Sequence, residues 1–150
     1  MAVFLSTYLN KVDRKGRVSV PAAFRAALAG SGSSGIVAYR AVKLPAIEAA
    51  GLDRIEEMSR RLDSLPELSE EREALATLLA DMEQLAFDGE GRIMLPPGLA
   101  KHAGIEGDAT FVGGGPTFQI WEAGRFKRHQ EEMRARIRER GLTLPPRETK

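Results

Sequence analysis

At 150 residues, 43% of them apolar, the chain has the size of one domain or of two small halves that share a core. It has no cysteine, which excludes disulfides, thiol catalysis, cysteine zinc fingers and iron–sulfur clusters; it has no apolar stretch of transmembrane length, and its opening Met1-Ala2-Val3-Phe4-Leu5-Ser6 lacks the basic region of a signal peptide, so a soluble cytoplasmic protein is expected. The net charge of +1 hides a segregation: residues 1–30 hold Lys11, Arg14, Lys15, Arg17 and Arg25 against Asp13 alone, residues 51–90 hold twelve carboxylates against four arginines, and residues 124–150 hold nine bases against four acids.

In chain order, residues 3–12 alternate loosely between apolar and polar (Val3, Leu5, Thr7, Leu9) and predict the first strand of a hairpin closed by a turn at 13–17. Beyond Pro21, Ala22-Ala23-Phe24-Arg25-Ala26-Ala27-Leu28 predicts a short helix, with Phe24, Ala27 and Leu28 on one face and Gly30 placed to stop it. The Gly/Ser run 30–35 reads as a flexible loop; it lacks the lysine and the strand-to-helix setting that a phosphate-cradling loop needs. Residues 36–39 predict a strand, and a weaker one follows through Val42 and Leu44. From Pro45 to Leu62 the periodicity turns helical, with Ile47, Leu52, Ile55, Met58 and Leu62 apolar among charges. After a break at Ser64-Leu65-Pro66, Ser69 caps a second helix with Glu70 and Glu71 in its first turn, where the helix dipole favours them. Its stripe of Leu75, Leu78, Leu79, Met82 and Leu85 reads as packing, in a core or against a partner.

Residues 85–87 then predict a strand, 88–92 a turn and 93–95 a further strand. A helix follows from Pro97 through His102, stopped by Gly104. Residues 109–112 predict the next strand, Gly113-Gly114-Gly115-Pro116 a turn, and Thr117-Phe118-Gln119-Ile120-Trp121 the strand that completes the sheet. A last helix over about 125–140 carries Phe126, Met133 and Ile137 apolar beside a dense arginine face, and the proline-rich segment 141–150 is expected to be loose.

Two of these stretches are copies. Asp13-Arg14-Lys15-Gly16-Arg17-Val18-Ser19-Val20-Pro21 returns 75 positions later as Asp88-Gly89-Glu90-Gly91-Arg92-Ile93-Met94-Leu95-Pro96. An aspartate that accepts backbone hydrogen bonds and a glycine that tolerates positive φ make a tight reversal, and the alternating run after it makes a strand. Proline then ends the strand and opens the helix. Alternation sends Val18, Val20, Ile93 and Leu95 to the core and leaves Arg17, Ser19 and Arg92 on the other face. Repetition at a fixed offset marks a duplicated structural unit and predicts internal pseudo-symmetry.

No catalytic constellation is present in the sequence. His102 and His129 stand apart from any Glu-x-x-His or paired spacing and read as helix-surface residues; Ser19 has no nucleophile-elbow setting, and the carboxylates fall on solvated helix faces. Neither an enzyme nor a metal or other cofactor is expected. What remains is cation placement. Lys11, Arg14, Lys15 and Arg17 surround one turn, an arrangement suited to phosphate contact while an arginine forks onto guanine in a groove; a merely solvated basic turn is the alternative. Arg92 sits in a turn with Gly89, Glu90 and Gly91 and no neighbouring lysine, so the second copy is the poorer phosphate binder.

On these residues the chain closely resembles the MraZ family, bacterial transcriptional regulators at the head of the division and cell wall gene cluster. The resemblance runs from Phe4 to Phe126 and rests on Asp13/Gly16/Arg17/Pro21, on Asp88/Gly91/Arg92/Pro96, on the helix start Glu70-Glu71-Arg72, and on His102-Ala103-Gly104 with the Val112-Gly113 and 118–121 stretches. It implies an α+β fold, mainly β with flanking helices: two swapped-hairpin AbrB-like half-barrels related by an internal pseudo-two-fold axis. The organisation it implies is a first repeat at 1–50, bridging helices at 51–84, a second repeat at 85–124 and a C-terminal helix and tail at 125–150. It further implies a ring-shaped homo-oligomer, with an octamer as the candidate size, that binds short G-rich direct repeats in double-stranded DNA of its own promoter, acts generally as a repressor, and associates with the nucleoid rather than with membranes. Carried over by position, Asp13 orients and Arg17 contacts DNA, and Asp88 and Arg92 match the second signature; Lys11, Arg14 and Lys15 join them on charge. The chain departs from the family pattern at residues 42–45, which lack an aromatic before Pro45, in the loop 30–35, at Pro116-Thr117 and Gln119, and at Ala100, where the first copy has Arg25.

Two other readings compete. An AbrB-like antitoxin would carry one motif and a disordered toxin-wrapping tail, against which the two copies and the bridging helices argue. A protein-interaction scaffold would set the basic turns against the acidic segment 51–90 of neighbours.

Overall fold

The computed structural model describes residues 2–146. Its strands are β1 (Thr7–Lys11), β2 (Arg17–Ser19), β3 (Gly35–Arg40), β4 (Ile47–Ala50), β5 (Glu83–Ala86), β6 (Arg92–Met94), β7 (Asp108–Gly113) and β8 (Phe118–Glu122), and its helices α1 (Ala22–Gly30), α2 (Leu52–Ser64), α3 (Glu70–Asp81), α4 (Pro97–Ala103) and α5 (Ala123–Arg140). Six strands form an antiparallel sheet in the order β1-β7-β8-β4-β3-β5, and β2 pairs with β6 as a separate two-stranded ribbon. The architecture is α+β, as expected.

The duplication is visible in the pairing. The first strand of each copy joins the other copy's sheet strands: β1 runs beside β7, with Thr7 opposite Val112, and β5 runs beside β3, with Gly35 opposite Ala86. The two halves meet at β4 and β8, where Ile47 lies opposite Ile120. The ribbon repeats the exchange, since Val20 N donates to Gly91 O at 3.1 Å and Leu95 N donates to Gly16 O at 2.8 Å, the same bond in each direction between positions 75 apart.

One core serves both copies. Val18, Val20, Ile93 and Leu95 are each 3% exposed or less, and they close the ribbon onto Ile36, Ile47, Phe111, Phe118 and Ile120 of the sheet. Helices α1 and α4 add Phe24, Leu28 and Leu99. The centre is aromatic: Phe24 stands 5.3 Å from Phe4, 4.8 Å from Phe118 and 5.5 Å from Tyr8. Burying a ring of this size contributes about 3 kcal/mol, so this cluster ties the N-terminal strand to α1 and β8.

Four expectations are corrected. The inward face of the N-terminal segment is Ala2, Phe4 and Tyr8, while Val3, Leu5 and Leu9 are exposed at 61%, 67% and 63%; apolar residues occupy both phases of the alternation, and the aromatic phase takes the core. The predicted hairpin does not form a ladder, because β1 pairs with β7 and β2 with β6; a bridge between Val12 and Val18, the Asp13 N–H donating to Arg17 O at 2.9 Å and side-chain bonds join the two sides of the turn. Residues 42–44 are bends, and the strand lies at β4, in what reads as the start of a helix; Ile47, Ala49 and Ala50 are buried between β3 and β8, and Gly51 begins α2. The short run Ile47-Glu48-Ala49-Ala50 has little strand propensity, so long-range pairing decides it. Finally, His102 and His129 are not plain surface residues: His102 Nε2 lies 3.1 Å from Leu44 O, and His129 stacks on Trp121 at 4.6 Å.

The helix cap at Ser69 forms as predicted, with Arg72 N donating to Ser69 Oγ at 3.2 Å. The α3 stripe is only half-buried, and no residue of α2 or α3 is fully buried in the chain. The proline-rich tail extends past the described residues, so the expectation for 147–150 lies outside them.

Candidate nucleic-acid interface

Each turn is built around one aspartate. In the first, Asp13 Oδ1 accepts from Lys15 N at 2.9 Å and from Arg17 N at 2.8 Å, while Oδ2 accepts from Arg17 Nε at 2.7 Å. In the second, Asp88 Oδ1 accepts from Glu90 N and Arg92 N, both at 2.9 Å, and Oδ2 from Arg92 Nε at 2.8 Å. Gly16 N closes onto Asp13 O at 3.0 Å and Gly91 N onto Asp88 O at 3.1 Å, with φ of 87° and 76° that only glycine adopts freely. The Asp13 carboxyl is held below the usual carboxylate range, first by the Arg17 backbone N–H and then by the Arg17 side chain and the Lys15 N–H; the Asp88 carboxyl is lowered the same way by Arg92 and Glu90, and Arg92 is raised by its bond to Asp88. Each aspartate therefore stays ionised and fixes its arginine by Nε alone. Among the described residues the terminal nitrogens of Arg17 have no hydrogen-bond partner.

Strand alternation places both arginines on one surface. In the ribbon Arg17 lies opposite Met94 and Ser19 opposite Arg92, while Val18 and Ile93 go to the core. The outer face is thus a patch of Arg17, Ser19, Arg92 and Met94, the two arginines on the diagonal of an antiparallel pair, about 7–8 Å apart by strand geometry. Asn10 Nδ2 donates to Ser19 O at 2.7 Å and anchors the ribbon to β1.

The sequence-predicted residues separate into two groups. Lys11, Arg14 and Lys15 are exposed around the first turn, beside Arg17; Asp88 and Arg92 lie at the other end of the ribbon. Glu90 stands where the first copy has Lys15, and it reaches Arg92 Nη2 at 3.5 Å. The second turn therefore occupies its own arginine with a second carboxylate.

One cation at the second turn was not foreseen from its own sequence. Arg25, on α1 of the first copy, donates from Nε to Val20 O at 3.0 Å and lays its guanidinium over Gly91, where a methyl group would stand 2.6 Å from Arg25 Cζ. The signal available was the asymmetry between Arg25 and Ala100, its counterpart. Among the described residues no group of histidines and carboxylates has the geometry to hold a metal ion, and no helix is long and apolar enough to cross a membrane.

A family model described as "MraZ protein, putative antitoxin-like" matches residues 78–142. Proteins named "Transcriptional regulator MraZ" from Rickettsia akari (strain Hartford) and Rickettsia rickettsii (strain Sheila Smith) are 44% and 45% identical over 145 residues, which is 96% of this chain and 97% of each relative. The protein of the same name from Rickettsia bellii (strain OSU 85-389) is 44% identical over 146 residues, with the same coverage.

Proposed function

The chain belongs to the MraZ family, and from that membership and the ribbon we propose that it is a sequence-specific DNA-binding regulator of transcription. In this reading it acts in the cytoplasm at the nucleoid, binds short G-rich direct repeats of double-stranded DNA in its own promoter, and represses the division and cell wall gene cluster as a ring-shaped homo-oligomer, with an octamer as the candidate size.

The observation that carries the reading is the outer face of β2–β6. The major groove, about 12 Å wide, admits a two-stranded ribbon, and an arginine held at Nε presents its terminal nitrogens as a fork to guanine O6 and N7, a pairing that discriminates by about 1–3 kcal/mol. Arg17 is the reader. Lys11, Arg14 and Lys15 bind flanking phosphates and supply the sequence-independent, salt-dependent part of the affinity. Arg92, tied to Asp88 and Glu90 and joined by Arg25, makes the lesser contact.

A single tip neutralises few phosphates, so useful affinity comes from several tips of one ring on regularly spaced repeats, through effective concentration. Titration of the protein against one repeat and against an array of three tests this. Binding to the array should be tighter by a factor of at least 100 and should weaken steeply with salt. Equal affinity for one repeat and for the array would contradict the multivalent mechanism.

A further inference from the structure

The distal half of α5 has no cover among the described residues. Its first half rests on the sheet, where Phe126 and His129 flank Trp121 with ring centroids 5.7 and 4.6 Å away. Among the described residues beyond Gln130, all but Ala135 are exposed. That projecting half nevertheless carries an apolar stripe: Met133, Ile137 and, past the left-handed Gly141, Leu142, whose N–H returns to Ile137 O at 3.2 Å. This end is the geometry in which the residue after the cap folds back over the last turn. Arg134, Arg136, Arg138 and Arg140 flank the stripe, with Glu139 the one acid among them. A helix half of this length gains most of its stability by packing an amphipathic face, and among the described residues nothing packs on this one.

A complementary surface lies elsewhere on the same chain. Val42, 75% exposed, together with Ala74, Thr77 and Leu78 of α3, lines an apolar groove of about 370 Å³ walled by Glu70 and Glu73. The one arginine in that first turn is already spent: Arg72 Nη1 donates to Leu62 O at 2.8 Å and to Leu65 O at 3.2 Å. The groove is therefore apolar inside and acidic at its rim, the inverse of the α5 stripe.

We propose that α5 of one copy lies in the α3 groove of a second copy, Met133 and Ile137 entering it and the arginines meeting Glu70 and Glu73. The inference rests on the ring assembly proposed above and names the surfaces that build it. The two surfaces differ, so the contact is heterologous: every copy gives one helix and receives another, which makes a closed ring or an open head-to-tail chain. DNA is the weaker occupant for the α5 arm, because an apolar stripe and Glu131, Glu132 and Glu139 gain nothing from phosphates.

The test uses full-length chains carrying Ile137→Glu or Val42→Glu, both at exposed positions, with mass read by light scattering and folding by circular dichroism. Each variant alone should fall from the assembled mass to a single chain, 16.4 kDa. Mixed in equal amounts, they should form dimers of twice that mass, since one retains the groove and the other the helix. If either variant proves unfolded, the charge swap decides instead: Arg134→Glu with Arg138→Glu should disassemble the protein, and adding Glu70→Arg with Glu73→Arg should restore it. Variants that keep the wild-type mass would overturn the α5–α3 contact and leave the ring standing. A mixture or a charge swap that stays monomeric would overturn the complementarity, and arginine variants that stay assembled but lose DNA would assign the arm to DNA. A wild-type protein of one chain's mass would overturn the ring and this contact together.

Discussion

Arg25 of the first copy covers Gly91 of the second: its guanidinium sits where a Cβ on Gly91 would reach to within 2.6 Å of Arg25 Cζ, while its Nε holds Val20 O. A side chain of the first motif's helix thus lies against the turn of the second, beside the ribbon bonds that join the two. Gly91→Ala meets this guanidinium and also a φ of 76°, and we expect it to cost about 1–3 kcal/mol in urea unfolding. Gly89→Ala, where a Cβ would meet nothing within 4 Å, should stay within about 0.5 kcal/mol of wild type. Equal losses at the two positions would show that the contact with Arg25 and the left-handed φ do not matter.

Asp13 and Asp88 make stability depend on acid. Their carboxyls titrate lower in the folded chain than in the unfolded one, where about 3.9 is normal, so their contribution is present above that value and is lost as pH falls through the lowered one. The double variant Asp13→Asn, Asp88→Asn should therefore lose less Tm than wild type between pH 5 and 2.5 in a thermal melt series. At neutral pH it should fold and bind its promoter about tenfold more weakly, because each arginine loses the acceptor that holds its Nε. Parallel Tm curves for the two proteins would refute the linkage.

Glu48 has the opposite sign. Burial pushes its carboxyl up, against hydrogen bonds from Gln119 Nε2 at 2.6 Å and Thr117 Oγ1, so the ionised form is disfavoured in the fold and stability rises as pH falls through the raised value. Glu48→Gln keeps an oxygen for Gln119 and removes the charge. The variant should melt higher than wild type at pH 7 and no higher at pH 4; an advantage that is the same at both pH values would point to packing rather than to charge.

The second turn can be converted toward the first. Glu90→Lys frees Arg92 Nη2 from its carboxylate at 3.5 Å and puts a cation where Lys15 stands in the first copy. DNA affinity should increase, and the slope of log K against log salt should steepen by about one for each added phosphate contact. Lys15→Glu should do the reverse. An unchanged salt slope in both variants would mean that position 15 and its counterpart do not approach phosphate.

What the sequence made legible was local. The turns, the inward set Val18, Val20, Ile93 and Leu95, and the cap at Ser69 depend on residues a few positions apart, and their chemistry is readable there. What it hid was set by distant partners. Nothing in residues 3–12 says that β1 will pair with β7, or that the aromatic phase of Phe4 and Tyr8 will win over Val3, Leu5 and Leu9. Nor does Ile47-Glu48-Ala49-Ala50 read as a strand until β3 and β8 stand on either side. At the candidate interface the cations of the first turn were evident from charge, but the cover of Arg25 over Gly91 joins positions 66 apart and belongs to the pairing of the copies.

The central claim is that Arg17, aimed by Asp13 on the face of the ribbon, reads DNA. A fluorescence-anisotropy titration of wild type and Arg17→Ala against the protein's own promoter and a scrambled duplex, at two salt concentrations and with mass checked by light scattering, tests it most directly. The account predicts that the variant keeps its mass and its salt-dependent binding to scrambled DNA but loses about 1–3 kcal/mol of preference for the promoter, on the order of a tenfold to hundredfold change. An Arg17→Ala protein that still prefers its promoter as wild type does would contradict it.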